Sequence, residues 1–211
     1  MKTENCLAAL LLTAVVAACG GTTTGAGTDR GAGTASGTTA SRAEATPGER
    51  PVHSEADIRF MQGMISHHQQ ALAMTSLVAD RTGSQSIHLL AERIEVSQID
   101  EIAMMSRWLE THPGETTAAG AHDHAGHTEL MPGMLSEAEL ERLAAAAGAE
   151  FDRLFLEFMI RHHQGALVMV GQLFATPGAG QEVDVYRIAS EVDSDQRIEI
   201  RRMERMLDEM E

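Results

Sequence analysis

The sequence predicts an all-α fold, an up-and-down four-helix bundle built from two repeated helical hairpins. Three observations carry this reading. No stretch alternates apolar and polar residues with period two, and aromatic residues make up only 3% of the chain, so strands find little support. Four long stretches space apolar residues as helices do, each bounded by capping or breaking residues. A whole phrase also recurs. Met64-Ile65-Ser66-His67-His68-Gln69-Gln70-Ala71-Leu72-Ala73-Met74 returns almost unchanged from Met159 to Met169, 95 residues further on.

The elements follow in order. Ser54 is a helix cap, and a helix is expected from Glu55 to about Arg81, stopped by Gly83. A second helix is expected from about Gln85 to Glu110, ended by His112-Pro113-Gly114. Ser136 and Glu139 form a capping box for a short helix that Gly148 interrupts. The third long helix is expected over Ala149 to Phe174 and the fourth over Gln181 to Met210, with Pro177-Gly178 between them. The return helices repeat as well. Ala91, Ile94, Gln98, Glu101, Ile102 and Met105 match Ala189, Val192, Gln196, Glu199, Ile200 and Met203, here 98 residues apart. Two similar hairpins imply an approximate two-fold axis. In the up-and-down order the first and third helices lie diagonal and parallel.

Ahead of the bundle, residues 1–18 read as a signal peptide: Lys2, a short apolar run, then small residues before Cys19. Val16-Ala17-Ala18-Cys19 has the form of a lipobox, which leaves Cys19 as a lipidated first residue. Residues 19–53 form a tether. Between Gly20 and Ala43 only Asp29, Arg30 and Arg42 are not Gly, Ala, Ser or Thr, a composition that cannot bury a core. The expected protein is an extracytoplasmic lipoprotein held to a membrane through Cys19. Its bundle fills residues 54–211: hairpin one over 54–112, a linker over 113–135, and a short helix with hairpin two over 136–211. The net charge of −15 argues against nucleic acid as a partner. With Cys6 in the signal peptide and Cys19 lipidated, no thiol remains for a disulfide or a thiolate metal site. Soft-metal chemistry then falls to Met and His.

His67 and His68 flank the centre of the first helix's apolar stripe, as His162 and His163 do in the third. Met64, Met74, Met159 and Met169 stand near them in both copies. On the return helices Gln98, Glu101, Gln196 and Glu199 occupy stripe positions where Leu is expected. Counted from the turn, the His pair and the Gln/Glu pair share a level in hairpin one. In hairpin two the count is off by about one turn. Buried carboxylates and imidazoles are costly unless paired or bound to metal. Two readings follow: a hydrogen-bonded polar core that fixes helix register, or a metal site. Asp57 and Asp152, repeated ten residues before the His pairs, are possible supporting groups. In the linker, His122, His124 and His127, followed by Met131 and Met134, form a possible second metal cluster, although the two Met can equally be hydrophobic anchors.

Asp57-x-x-Phe60, Met64-Ile65-x-His67-His68, Met131-Pro132-Gly133-Met134 and Met159-Ile160-x-His162-His163 together resemble the bacterial domain-of-unknown-function family numbered 305. The resemblance spans roughly Ser54 to Met210 and implies a ferritin-like helical bundle. Some members are extracytoplasmic copper-binding proteins, so it also implies copper. Thioether with imidazole suits Cu(I), and imidazole alone suits Cu(II) or another divalent transition metal. The expected task is binding copper for storage, transfer or tolerance, without turnover. The protein partner is unknown. A structural or partner-binding bundle is the alternative. A carboxylate-bridged redox enzyme is less well supported, because Glu95-x-x-Gln98 carries Gln where a di-iron motif needs His.

Overall fold

The computed structural model describes residues 53–112 and 130–210. Cys19, the tether, His122, His124 and His127 lie outside them. Among the described residues there are six helices and no strand: α1 (Glu55–Thr75), α2 (Val78–Arg81), α3 (Gln85–Thr111), α4 (Glu137–Ala145), α5 (Ala149–Ala175) and α6 (Val183–Asp208). None of these helices is long and apolar enough to cross a membrane.

The caps set the boundaries. Ser54 caps α1 in a reciprocal box with Asp57, and Ser136 does the same for α4 with Glu139. Glu182 caps α6 and also accepts a hydrogen bond from the Trp108 indole at 2.9 Å, which ties the start of α6 to the end of α3. Gly148, at φ 59°, precedes α5, and its N–H donates to the Arg81 carbonyl. One boundary differs from expectation. The first helix does not run unbroken to Arg81 but ends at Thr75. The hydroxyls of Thr75 and Ser76 donate back to the carbonyls of Leu72 and Ala73, competing with the helical ladder, and α2 is a separate single turn. The fourth helix begins two residues later than expected, at Val183, and ends at Asp208.

α1 packs on α3 and α5 packs on α6, the two expected hairpins. Their mutual order corrects the up-and-down expectation. Asp57 at the start of α1 accepts a hydrogen bond from the N–H of Gly180, which lies beyond the end of α5 (2.6 Å). Gly63 faces Met169, and the His67 ring lies against His162. α1 and α5 therefore run antiparallel and in contact, not parallel across a diagonal. The connection from α3 to α5 must cover the length of the bundle. It leaves His112 beside Trp108, passes the middle at Pro132 and Leu135, and delivers Gly148 to Arg81 at the far end.

The apolar core falls into two parts. One contains Met74, Leu90, Ile94, Phe155 and Met159, and the other Phe60, Met64, Met105, Met169 and Val192. Between them lies a polar layer: His67, His68, Gln98, Glu101, His162, His163, Gln196 and Glu199, each at least 97% buried.

Candidate metal centre

The layer is built from four helices, one pair of polar residues from each. In hairpin one, His68 Nε2 meets Glu101 Oε2 at 2.6 Å. In hairpin two, His163 Nε2 meets Glu199 Oε2 at 2.8 Å. The two contacts are equivalent, so the one-turn offset expected in hairpin two is absent. The three extra residues are absorbed in the turn around Gly178 and Gly180, both at positive φ, and leave the register of α6 unchanged. Where the hairpins cross, the rings of His67 and His162 lie against each other with centroids 3.9 Å apart and planes tilted by 36°. Each lies just over 6 Å from its own neighbour, His67 from His68 at 6.4 Å and His162 from His163 at 6.2 Å. All four imidazoles thus share one layer.

The crossover segment supplies a contact that residue patterns did not reveal. His67 Nε2–H donates to the Pro132 carbonyl at 3.0 Å. A carbonyl only accepts, so this bond fixes the tautomer and leaves His67 Nδ1 with a free lone pair. Met131-Pro132-Gly133-Met134 is a tight turn closed by the Met134 N–H on the Met131 carbonyl, with Gly133 at φ 76°. It is seated through Gly165, where any Cβ would collide with the backbone of Pro132 and Gly133. At the matching place in α1, Gln70 instead holds both the N–H and the carbonyl of Leu135. The signal was present in the repeat: Gln70 against Gly165 is one of three places where the two phrases differ, with Ser66 against Arg161 and Ala73 against Val168. Met131 packs on the core beside Gly63, in keeping with an anchor for the turn.

Burial dominates the electrostatics. It pushes His67 down to about 4, aided by the neighbouring charges of His68 and His163, while the bond to Pro132 works the other way. It pushes His68 down to about 3 and holds His162 well below the usual histidine range. Burial pushes Glu101 up to about 8, helped by the charges of Asp195 and Glu199. His67, His68 and His162 are therefore neutral at neutral pH, which is the form that binds metals.

Many polar atoms here lack partners. His67, His68 and His163 each leave Nδ1 buried and unbonded, and His162 leaves both ring nitrogens so. The Gln98 side chain has neither amide atom paired, and one oxygen of Glu101 and of Gln196 is also free. Three of the histidines thus have Nε2 on an oxygen and Nδ1 open; in metal sites such a bond from the far ring nitrogen holds the imidazole in orientation. These residues fit a metal that accepts imidazole nitrogen. As they stand, however, no three His, Cys, Asp or Glu side chains among the described residues converge to grip one ion. Met64 and Met169 bracket the layer on one side, and Met74 and Met159 on the other. Asp57 does not join the layer, because its oxygens are used by the N–H groups of Ser54 and Gly180. Asp152 lies in the first turn of α5, with Oδ1 buried and unpaired, ten residues before His162.

A domain of unknown function, DUF305, matches residues 57–207. The chain belongs to the DUF305 family. A presumed secreted DUF305 protein from Streptomyces coelicolor is 30% identical, with a TM-score of 0.61 over 74% of this chain and 93% of that one. A DUF305 fragment from Deinococcus radiodurans is 34% identical, with a TM-score of 0.60 over 75% of this chain and 99% of that one. CopM in its Cu(II)-bound form is 26% identical, with a TM-score of 0.59 over 74% and 97% of the two chains. CopM has also been solved with Cu(I). No curated protein matches the chain in sequence. The relatives of this DUF305 protein thus include a copper-binding protein.

Proposed function

We propose that this DUF305 protein binds copper in the buried layer between its hairpins, for storage, transfer or tolerance rather than turnover. The observation that carries this is the set of open imidazole nitrogens: Nδ1 of His67, His68 and His163, and both nitrogens of His162, all buried without a partner. A polar core kept only for register would be expected to satisfy such groups, since buried unpaired atoms are costly. The neighbouring thioethers and the small number of nitrogen and oxygen donors able to meet one ion favour Cu(I) over metals that need several hard ligands. Copper-bound CopM, similar in fold and 26% identical, supports the choice of metal. The long crossover between hairpins supports reading the bundle as ferritin-like. Cys19, on this reading, carries the lipid that holds the bundle to a membrane outside the cytoplasm.

The test replaces both members of each buried pair. Removing only His68 would strand Glu101 and confuse loss of fold with loss of ligand. A variant with His68, Glu101, His163 and Glu199 all changed to Leu is expected to remain helical by circular dichroism and to lose its high-affinity copper in titration. A second variant, with His122, His124 and His127 changed to Ala, is expected to keep it. If the Leu variant binds copper like wild type and the Ala variant does not, the site lies in the linker and the layer is only structural.

A further inference from the structure

A groove of about 510 Å³ runs along the surface between α3 and α6, the side of the bundle opposite the crossing of α1 and α5. Its lip is acidic: Glu92, Asp100, Glu191 and Asp195, countered by Arg93 alone among the lining residues. Its floor is Glu101, 3% exposed, which also contacts His68. Oε1 of Glu101 is buried and has no partner. Ser97, another lining residue, donates to Glu199 at 3.5 Å, so the groove reaches both carboxylates of the layer. Met104 adds a thioether to the wall.

We propose that this groove is the port by which a metal cation enters the buried layer, with Glu101 as its inner ligand. The inference rests on the copper-binding reading above and says where the ion passes. The imidazoles are sealed from solvent on the α1–α5 side by the contact of His67 with His162 and by the Met131–Met134 turn. On the α3–α6 side a single side chain, Glu101, separates His68 from an open groove. Carboxylates along a cleft raise the local concentration of cations and speed their arrival, an effect that salt weakens. Once at Glu101, an ion is one residue from His68. The carboxylate Oε1 is the one oxygen at that position not already committed.

The experiment measures rate apart from affinity. All chains carry His122, His124 and His127 changed to Ala, so the linker takes no copper. The port variant adds Glu92→Gln, Asp100→Asn, Glu191→Gln and Asp195→Asn. A control of equal charge adds Glu141→Gln, Glu150→Gln, Glu204→Gln and Glu209→Gln, all exposed and outside the groove. Stopped-flow mixing of metal-free protein with copper at low ionic strength is expected to show the port variant loading about tenfold more slowly. The control should load at the parent's rate, copper per chain at equilibrium should be unchanged, and the gap should shrink as salt is raised. Equal loading by port variant and control overturns the port while leaving the copper site intact. A parent chain that takes up no copper overturns the copper reading, and the port with it.

Discussion

Acidifying the metal-free protein from pH 7 to pH 5 should lower its stability, because the polar layer holds His67, His68 and His162 neutral. His67 titrates at about 4 and His68 at about 3 in the fold, against 6.5 when unfolded, and His162 lies well below 6.5 as well. A group depressed by folding stabilises fully above its unfolded pKa and loses that contribution as pH falls toward its folded one. Between pH 7 and 5 His67 and His68 take up protons only in the unfolded chain, a loss of roughly 2 kcal/mol apiece, and His162 shifts stability in the same direction. Glu101 acts in the opposite sense. Raised from 4.5 to about 8, it stabilises most below its unfolded pKa and loses that as pH rises through 8. Over the same interval it returns roughly 2–3 kcal/mol, leaving a net loss of about 1–2 kcal/mol from these three groups, to which His162 adds. Against a typical total of about 5–15 kcal/mol, that is readily measured. Glu139, held at about 2 chiefly by its bond from Arg161, does not titrate in this window. Urea denaturation of metal-free protein at pH 5, 6, 7 and 9, followed by helical circular dichroism, should show the midpoint highest near neutrality, with the slope unchanged. The fall from 7 to 9 should be the smaller, roughly 1 kcal/mol from Glu101. Stability that stays level or rises from pH 7 to 5 would refute the picture of neutral, desolvated imidazoles.

Gly165→Ala should cost about 2 kcal/mol or more in urea unfolding, because the new Cβ displaces the Pro132 carbonyl that holds His67; a neutral effect would mean that the crossover turn is not seated as described. Cys19→Ser should move the protein from the membrane fraction to the soluble extracytoplasmic fraction, since one residue is the proposed anchor. Wild type already free outside the cell would end that reading.

Local signals in the sequence were read more accurately than long-range ones. Ser54, Ser136 and Gly148 marked helix starts because caps act within one turn. Gln98, Glu101, Gln196 and Glu199 were legible as buried because polar residues broke an otherwise apolar stripe, and burial is what the structure shows. Two errors share one cause: residue counting says nothing about how hairpins join. The level of His163 against Glu199 was misjudged because extra turn residues were counted as if they lengthened the helices. The up-and-down order was adopted because the repeat fixes each hairpin but not their mutual direction. A short loop suffices for that order. Length carries the direction, since the chain between His112 and Glu137 is far longer than adjacent helix ends need, as a crossover spanning a helix of about 40 Å requires.

That crossover also explains why a duplicated motif yields an unequal site. The approximate two-fold axis places His67 and His162 against each other and gives His68 and His163 matching carboxylates. A single strand of crossover can serve only one side of such an axis. It lies over α5 at Gly165, where the lack of a side chain admits the backbone, and is clasped from α1 by Gln70. Its carbonyl therefore reaches His67 and not His162. The tautomer of His67 is fixed from outside the layer, whereas His162 keeps both nitrogens open. Gly165 in place of a second Gln70 thus turns two equal His pairs into one with an oriented His67 and one whose His162 has both ring nitrogens unbonded. In a layer whose remaining imidazoles are each tied to an oxygen, His162 is, on the copper-binding proposal, the residue with most freedom to reorient toward an ion.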